Sequence, residues 1–513
     1  MVVSGLKVNF QKSEILTVGG DDNVVNMYAD LFHCEVGSFP IKYLGMLVSY
    51  TNLRNSDWEF IDTKYLKKFE AWIGNAASIG GGGGGGGGGL TLLDSVVTQL
   101  SLYHMSMWLM NKTFIEPLDK HRRKSFWQGC NKKRRYHMVR WNRICRSRDK
   151  GGLGVKDLHK QNISLMVKWW WKLETQTGMW QDIVRARYLT NKSVASVKPR
   201  FSDSPSWKAL LKVKDIYFVG RRIHLESGDL VRVWKDSING LSPFQTLYPS
   251  LFEICNDQDC TIDRFKSVDV HSFFRRRLTP ELSCQWGEIS NTIKNIQLSQ
   301  GGDRVYWGLN SNGKFSTKYV YKWLENPLSG CHYRWIWKAK IPLKIKIFLW
   351  QLSQDAVLTR QVMRTRKWTG NPTCSFCNEL ETSQHLFFTC PVAKVIWRCV
   401  GVVLGTEMCP NSYWQYFAWC HAFLPDGQKY YTVGLAAACW AIWLARNRAT
   451  FEKKLIKTPF EIVFSMCSFL LYWTGLQEEE GAKELRSGAE MIRSSTMRMM
   501  GMCNAVRVPI EGD

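Results

Sequence analysis

Two groups of residues in this sequence have the types and spacing for metal chemistry. The first lies in PTCSFCNELETSQHLFFTC, where Cys374 and Cys377 are separated by two residues, His385 follows after seven and Cys390 after four more. Two cysteines so close can wrap one ion from a tight turn, and a downstream histidine and cysteine complete a tetrahedral set. Three thiolates and one imidazole suit Zn(II), and four protein ligands leave no position for water. The expected cofactor is therefore structural zinc, with Cys399, Cys409 and Cys420 as bystanders. The second group lies in GGDDNVVNMYAD, where Asp21 and Asp22 stand near Tyr28-Ala29-Asp30. Adjacent aspartates on a turn could hold two ions for phosphoryl transfer. Here no apolar strand leads into Asp21 and Asp22, and Asp30 stands alone behind Tyr-Ala.

A third chemistry is electrostatic. The chain of 513 residues has 69 Lys+Arg against 44 Asp+Glu, a net charge of +25 and a pI near 9.4. That excess points to a polyanionic partner, RNA or DNA. Its densest source is HRRKSFWQGCNKKRRYHMVRWNRICRSRDK, residues 121–150. Lys132, Lys133, Arg134, Arg135 and Arg140 are the candidate phosphate contacts, and the interleaved tryptophans are expected to fill core. A hydrophobic fraction of 45% excludes global disorder. Sixteen cysteines are scattered without a recognisable leader, so most are expected to be reduced thiols in a nuclear or cytoplasmic protein. The longest apolar runs fall short of the roughly 18–20 residues that span a bilayer. They read as buried helices, so neither a membrane nor a small-molecule substrate is expected as partner.

These groups need elements to position them. Residues 1–50 alternate short apolar runs with turns, which predicts a few strands around one helix near 23–33. Residues 57–128 read as helices interrupted by ten glycines, 80–89. Such a run opposes regular structure on entropic grounds. A phosphate-cradling loop would need Lys-Ser or Lys-Thr after it, and LTLLDS has neither. GGLGVKDL predicts a turn into a helix, and Trp169, Trp170 and Trp171 in succession require that helix to be buried on more than one side. Residues 190–300 carry short strand signals, 330–365 read as helical with Pro342 at a helix start, and the chain beyond 480 reads as a frayed helix and tail.

The flanks of the cysteine–histidine group carry a resemblance. YRWIWKAKIPLKIKIFLWQLSQDAVLTRQVMRTRKW, followed by CSFCNELETSQHLFFTC and AKVIW, resembles the zinc-binding domain at the C-terminal end of plant LINE-type (non-LTR) retrotransposon reverse transcriptases. WGLNSNGKFSTKYVY is similar to the lead-in of that domain, and WAIWLARNRATFEKK to a segment that commonly follows it. SGLKVNFQKSE resembles the palm segment after the catalytic Ala-Asp-Asp turn, and FPIKYLGMLVS the primer-grip strand. LTLLDSVVTQLSLYHMSMW, FWQG, GGLGVKDL, Asn162 and KWWWKL follow the family's thumb and connector in order.

The resemblance implies an α+β, mostly helical, multi-domain fold. Its expected parts are a partial palm edge (1–50), a helical thumb-like region (51–180), a connector (181–313), the zinc module (314–400), a helical segment (401–480) and a flexible tail (481–513). It places Lys12 near the polymerase site and Tyr43 on the primer grip. The family's catalytic aspartates precede the SGLKVN-like segment, so Asp21, Asp22 and Asp30 are expected to be decoys, with no catalytic residue in the chain. The residues after the zinc module are too few for the ribonuclease H domain that some relatives carry. The expected function is nucleic-acid binding by a truncated reverse-transcriptase-like protein. The alternatives are an RNA-directed DNA polymerase whose palm is supplied elsewhere, a protein-interaction module, or an inert product.

Overall fold

The computed structural model describes residues 9, 13–19, 21–60, 63, 66, 67, 90, 99–128, 136–190, 194, 197–236, 238, 242–267, 273–299, 301–325 and 333–505. Lys12, the glycine run and Lys132, Lys133, Arg134 and Arg135 lie outside them. Among the described residues helices dominate and the strands form three two-stranded pairs, so the fold is α+β and mostly helical. The chain divides into two compact units, Met1–Lys68 with Thr98–Asp119 and Leu158–Asn326, and Phe69–Val97 with Lys120–Asp157 and Pro327–Asp513.

In the first unit Glu14–Ile15 pairs in parallel with Glu35–Val36, and the helix Asp22–Phe32 makes the crossover. Ile41–Tyr43 then pairs with Met46–Val48 through the two-residue turn Leu44-Gly45. Both turn residues have positive φ, 49° and 79°, as a tight hairpin matched to strand twist requires. Glycine meets that demand freely. Leu44 is held there by its carbonyl, which accepts from the Tyr103 hydroxyl at 3.3 Å.

Asn162 fastens the long helix Leu158–Thr175 to the segment before it. Its amide oxygen accepts from the Met110 N–H, and its NH2 donates to the carbonyls of Met105 and Trp108, each at 2.7 Å. The three tryptophans on this helix diverge as their spacing requires. Trp169 meets Trp180, Trp170 is fully buried against Trp207, and Trp171 stacks on Phe315.

Residues 190–300 depart from the expected strands. Among the described residues there, Arg221–His224 is the only strand; it pairs antiparallel with Arg304–Trp307, and the remaining elements are helices. Ser204 before Pro205 and Thr279 before Pro280 explain the difference. Each hydroxyl caps a helix, accepting from Trp207 and Leu282, with proline at the first helical position. These start signals outweigh the β-branched residues, which instead fill a core around Val233, Trp234, Leu251 and Ile289.

In the second unit the GGLGVKDL turn is fixed by Gly151, at φ 79°, whose carbonyl accepts from the Trp350 indole at 2.8 Å. Trp350 lies on the helix Leu343–Ser353, which begins after Pro342 as expected. The helix Gln428–Asn447 packs on it, and Phe460–Trp473 packs in turn on Gln428–Asn447, Pro391–Val403 and Glu479–Ala505. The last of these corrects the expectation of a frayed helix and flexible tail from 481. Leu485, Ala489 and Ile492 recur at helical spacing and are buried, giving the polar, Met-rich segment an apolar stripe over 485–492. No helix among the described residues is long and apolar enough to cross a membrane.

Candidate metal centre

A short hairpin presents the first two ligands. The Cys374 N–H donates to the Glu379 carbonyl at 2.7 Å, the Glu381 N–H donates to the Pro372 carbonyl at 3.0 Å, and Thr373 bridges Leu380. Cys374 and Cys377 sit in the turn so closed, and the Phe376 N–H points to the Cys374 sulfur at 3.4 Å. The other two ligands bracket one wide helical turn, His385–Thr389. It starts where the Thr382 hydroxyl caps the His385 N–H at 2.8 Å, and it ends where the Cys390 N–H reaches back to the His385 carbonyl at 2.7 Å. Buried Leu386, Phe387 and Phe388 anchor the turn, with Phe388 stacked on Trp397 at 5.7 Å.

The four expected ligands come together. Among the described residues, one donor atom from each of Cys374, Cys377, His385 and Cys390 lies within 4.8 Å of the other three. The Cys377 sulfur is 3.1 Å from His385 Nε2 and 4.0 Å from the Cys390 sulfur. Tetrahedral zinc with Zn–S bonds of about 2.3 Å would hold its ligand atoms roughly 3.5–3.8 Å apart. Donor chemistry and spacing both fit that ion. Nδ1 of His385 is 3.0 Å from the Glu379 carboxylate, which orients the ring so that Nε2 faces the cysteines. Zn(II) bound there would supply folding free energy and no open coordination position.

Proton placement agrees with one thiolate in a crowded pocket. A hydrogen bond from Cys390 pulls the Cys374 thiol down to about 5, and donating that bond pushes Cys390 well up. Burial pushes Cys377 up as well. Cys399 and Cys420 are buried elsewhere, and Cys409 points to the Lys394 carbonyl, so all three stand outside the set.

Behind the hairpin lies a group that sequence spacing alone did not assemble. Glu381 is fully buried, and Arg446, from the end of the Gln428–Asn447 helix, donates to it through Nη2 at 2.6 Å and Nε at 3.1 Å. Glu381 also accepts from the Arg360 N–H at 2.8 Å, and the Arg360 guanidinium donates to the Thr373 carbonyl at 2.6 Å. The short helix Arg360–Thr365 is thereby seated on the ligand hairpin. The available signal was a glutamate among ligands and apolar residues with no nearby basic partner.

The other predicted site residues fall apart. Asp21 caps the helix Asp22–Phe32, accepting from the Asn23 N–H at 3.1 Å, and Asp30 is exposed near that helix's other end. Nine residues of helix rise about 13 Å, whereas two-metal sites hold their ions about 4 Å apart. Tyr43 is 64% exposed at the hairpin of the first unit. Arg140 is exposed in the second, directly before the helix Trp141–Ile144. Phe126 and Trp127 are core, as expected of the aromatics, but Tyr136 is 43% exposed.

This geometry defines a class, a closed Cys3His zinc-binding module of the structural kind set in a helical unit. Residues 315–397 match the family described as zinc-binding in reverse transcriptase. The chain is 24% identical over 328 residues to a "putative ribonuclease H protein" of Arabidopsis thaliana, covering 60% of this chain and 51% of that protein. It is 26% identical over 139 residues to an uncharacterized mitochondrial protein of Arabidopsis thaliana, covering 27% of this chain and 90% of that one. The chain thus spans about half the length of the first relative. These likenesses, both to plant proteins, support a relation to retrotransposon reverse transcriptases, with residues 315–397 matching their zinc-binding domain.

Proposed function

We propose that this protein binds nucleic acid, RNA or DNA, through phosphate contacts, and that its zinc module is a folding element without catalytic duty. The observation that carries this reading is the net charge of +25 on a folded chain, concentrated in residues 121–150. Exposed Arg140, Arg143 and Arg146 support it, as does kinship with a protein whose name denotes action on a nucleic-acid hybrid. Lys132, Lys133, Arg134 and Arg135 are the central phosphate contacts, with Lys12 and Tyr43 as further contacts. Asp21, Asp22 and Asp30 hold no polymerase metals.

A salt titration of RNA binding tests this. Each neutralised phosphate releases counterions, so affinity should fall log-linearly with salt and depend little on sequence. Replacing Lys132, Lys133, Arg134 and Arg135 together by Ala should flatten the slope by roughly one unit per lost contact. An unchanged slope in that variant would remove the assignment.

A further inference from the structure

Two stretches of the second unit contain no acidic residue, 120–148 and 356–378. They lie far apart in sequence, but one side chain joins them. Arg366, directly after the Arg360–Thr365 helix, donates through Nη1 to the His137 carbonyl at 3.0 Å and through Nη2 to the Met138 carbonyl at 3.4 Å. Its guanidinium also lies 5.7 Å from the centre of the Tyr136 ring. Tyr136 therefore has a cation against its ring while remaining 43% exposed. Around it Arg140, Arg364 and Lys367 are exposed. Trp127, stacked on His137 at 6.2 Å and itself buried, fixes the backbone that carries the tyrosine.

A guanidinium-backed, half-exposed aromatic ring where two stretches without acidic residues meet has the chemistry of a base-stacking platform. Phosphates are met by point charges on any nucleic acid, but a ring can stack only on a base whose π-face is open, as in single strands. Resting on the nucleic-acid reading above, we propose that Tyr136, backed by Arg366, stacks an unpaired base, so that this face prefers single-stranded to duplex RNA. The seating of the Arg360–Thr365 helix on the ligand hairpin makes the platform an extension of the zinc module.

The test compares binding of the full chain to labelled oligouridine of about 20 nucleotides and to an RNA duplex of equal length. Tyr136→Ala should weaken oligouridine binding about 5–100-fold, with the salt slope unchanged because no charge is lost and duplex affinity altered by less than about twofold. Tyr136→Phe should bind as wild type does, and Arg366→Ala should weaken single-strand binding with a smaller effect on duplex. Tyr136 is exposed, so its replacement leaves the fold in place. Wild-type affinity in Tyr136→Ala, or an equal loss for single strand and duplex, overturns the platform and leaves the phosphate-binding reading intact. A wild-type chain that binds neither these RNAs nor DNA of the same lengths overturns both.

Discussion

His385 and Cys374 have partners that prepare them for metal, the Glu379 carboxylate and the Phe376 N–H. Cys377 and Cys390 favour the thiol instead, and this predicts how binding responds to pH. Zinc requires three thiolates, while the pocket favours one, on Cys374, with Cys377 and Cys390 held as thiols. Binding near neutrality must then release about two protons per ion, so zinc affinity should rise roughly a hundredfold per pH unit. Competition titrations with a chromophoric chelator between pH 6 and 8 measure this, and a pH-independent affinity would contradict the proton placement. Metal analysis of the full chain should give about one zinc, falling sharply in Cys377→Ser and His385→Ala. Cys399→Ser should keep its metal. The clustering of the four residues was legible in the sequence because two short segments hold them at metal-ligand spacing. Glu379 was not, since its role depends on which way the His385 ring faces.

At the scale of elements, the zinc hairpin is held from behind by the Gln428–Asn447 helix through Arg446, which is only 1% exposed. Removing one member of a buried pair leaves the other charge without compensation. Arg446→Ala should therefore destabilise the second unit by about 3–5 kcal/mol. Replacing both partners, Glu381→Leu with Arg446→Met, should cost clearly less than the sum of the single changes. Chemical denaturation followed by the burial-sensitive fluorescence of Trp443, 5.0 Å from the Arg446 guanidinium, reads both. The sequence showed the helices through periodicity and Pro342 through its place at a helix start. It hid the pairing of Glu381 with Arg446, because no local pattern specifies a contact 65 residues away. It also suggested strands over 190–300, where capped helices form. The helix Glu479–Ala505 was obscured by glycine and serine residues, whose low propensities its buried stripe outweighs.

For the whole molecule, charge and carboxylate placement separate binding from chemistry. Primer extension by the purified chain with Mg(II) or Mn(II) should stay at background, because two ions need anionic ligands on both and Asp21 is occupied as a helix cap. Extension that disappears in Asp21→Asn with Asp22→Asn would refute this. The family resemblance implies an order of regions, and the basic excess points to a polyanionic partner. Which aromatic ring is open to such a partner required the fold, since Phe126, Trp127 and Tyr136 look alike in sequence but, of the three, Tyr136 alone is exposed. The buried pair of Glu381 and Arg446 also bears on how such a sequence can change by descent. One substitution is enough to leave the paired state, and a return by different residues takes two, through an intermediate with a lone buried charge. Single changes at exposed cations therefore cost the fold little, whatever they cost binding, while the two positions behind the zinc hairpin must change together or stay as they are.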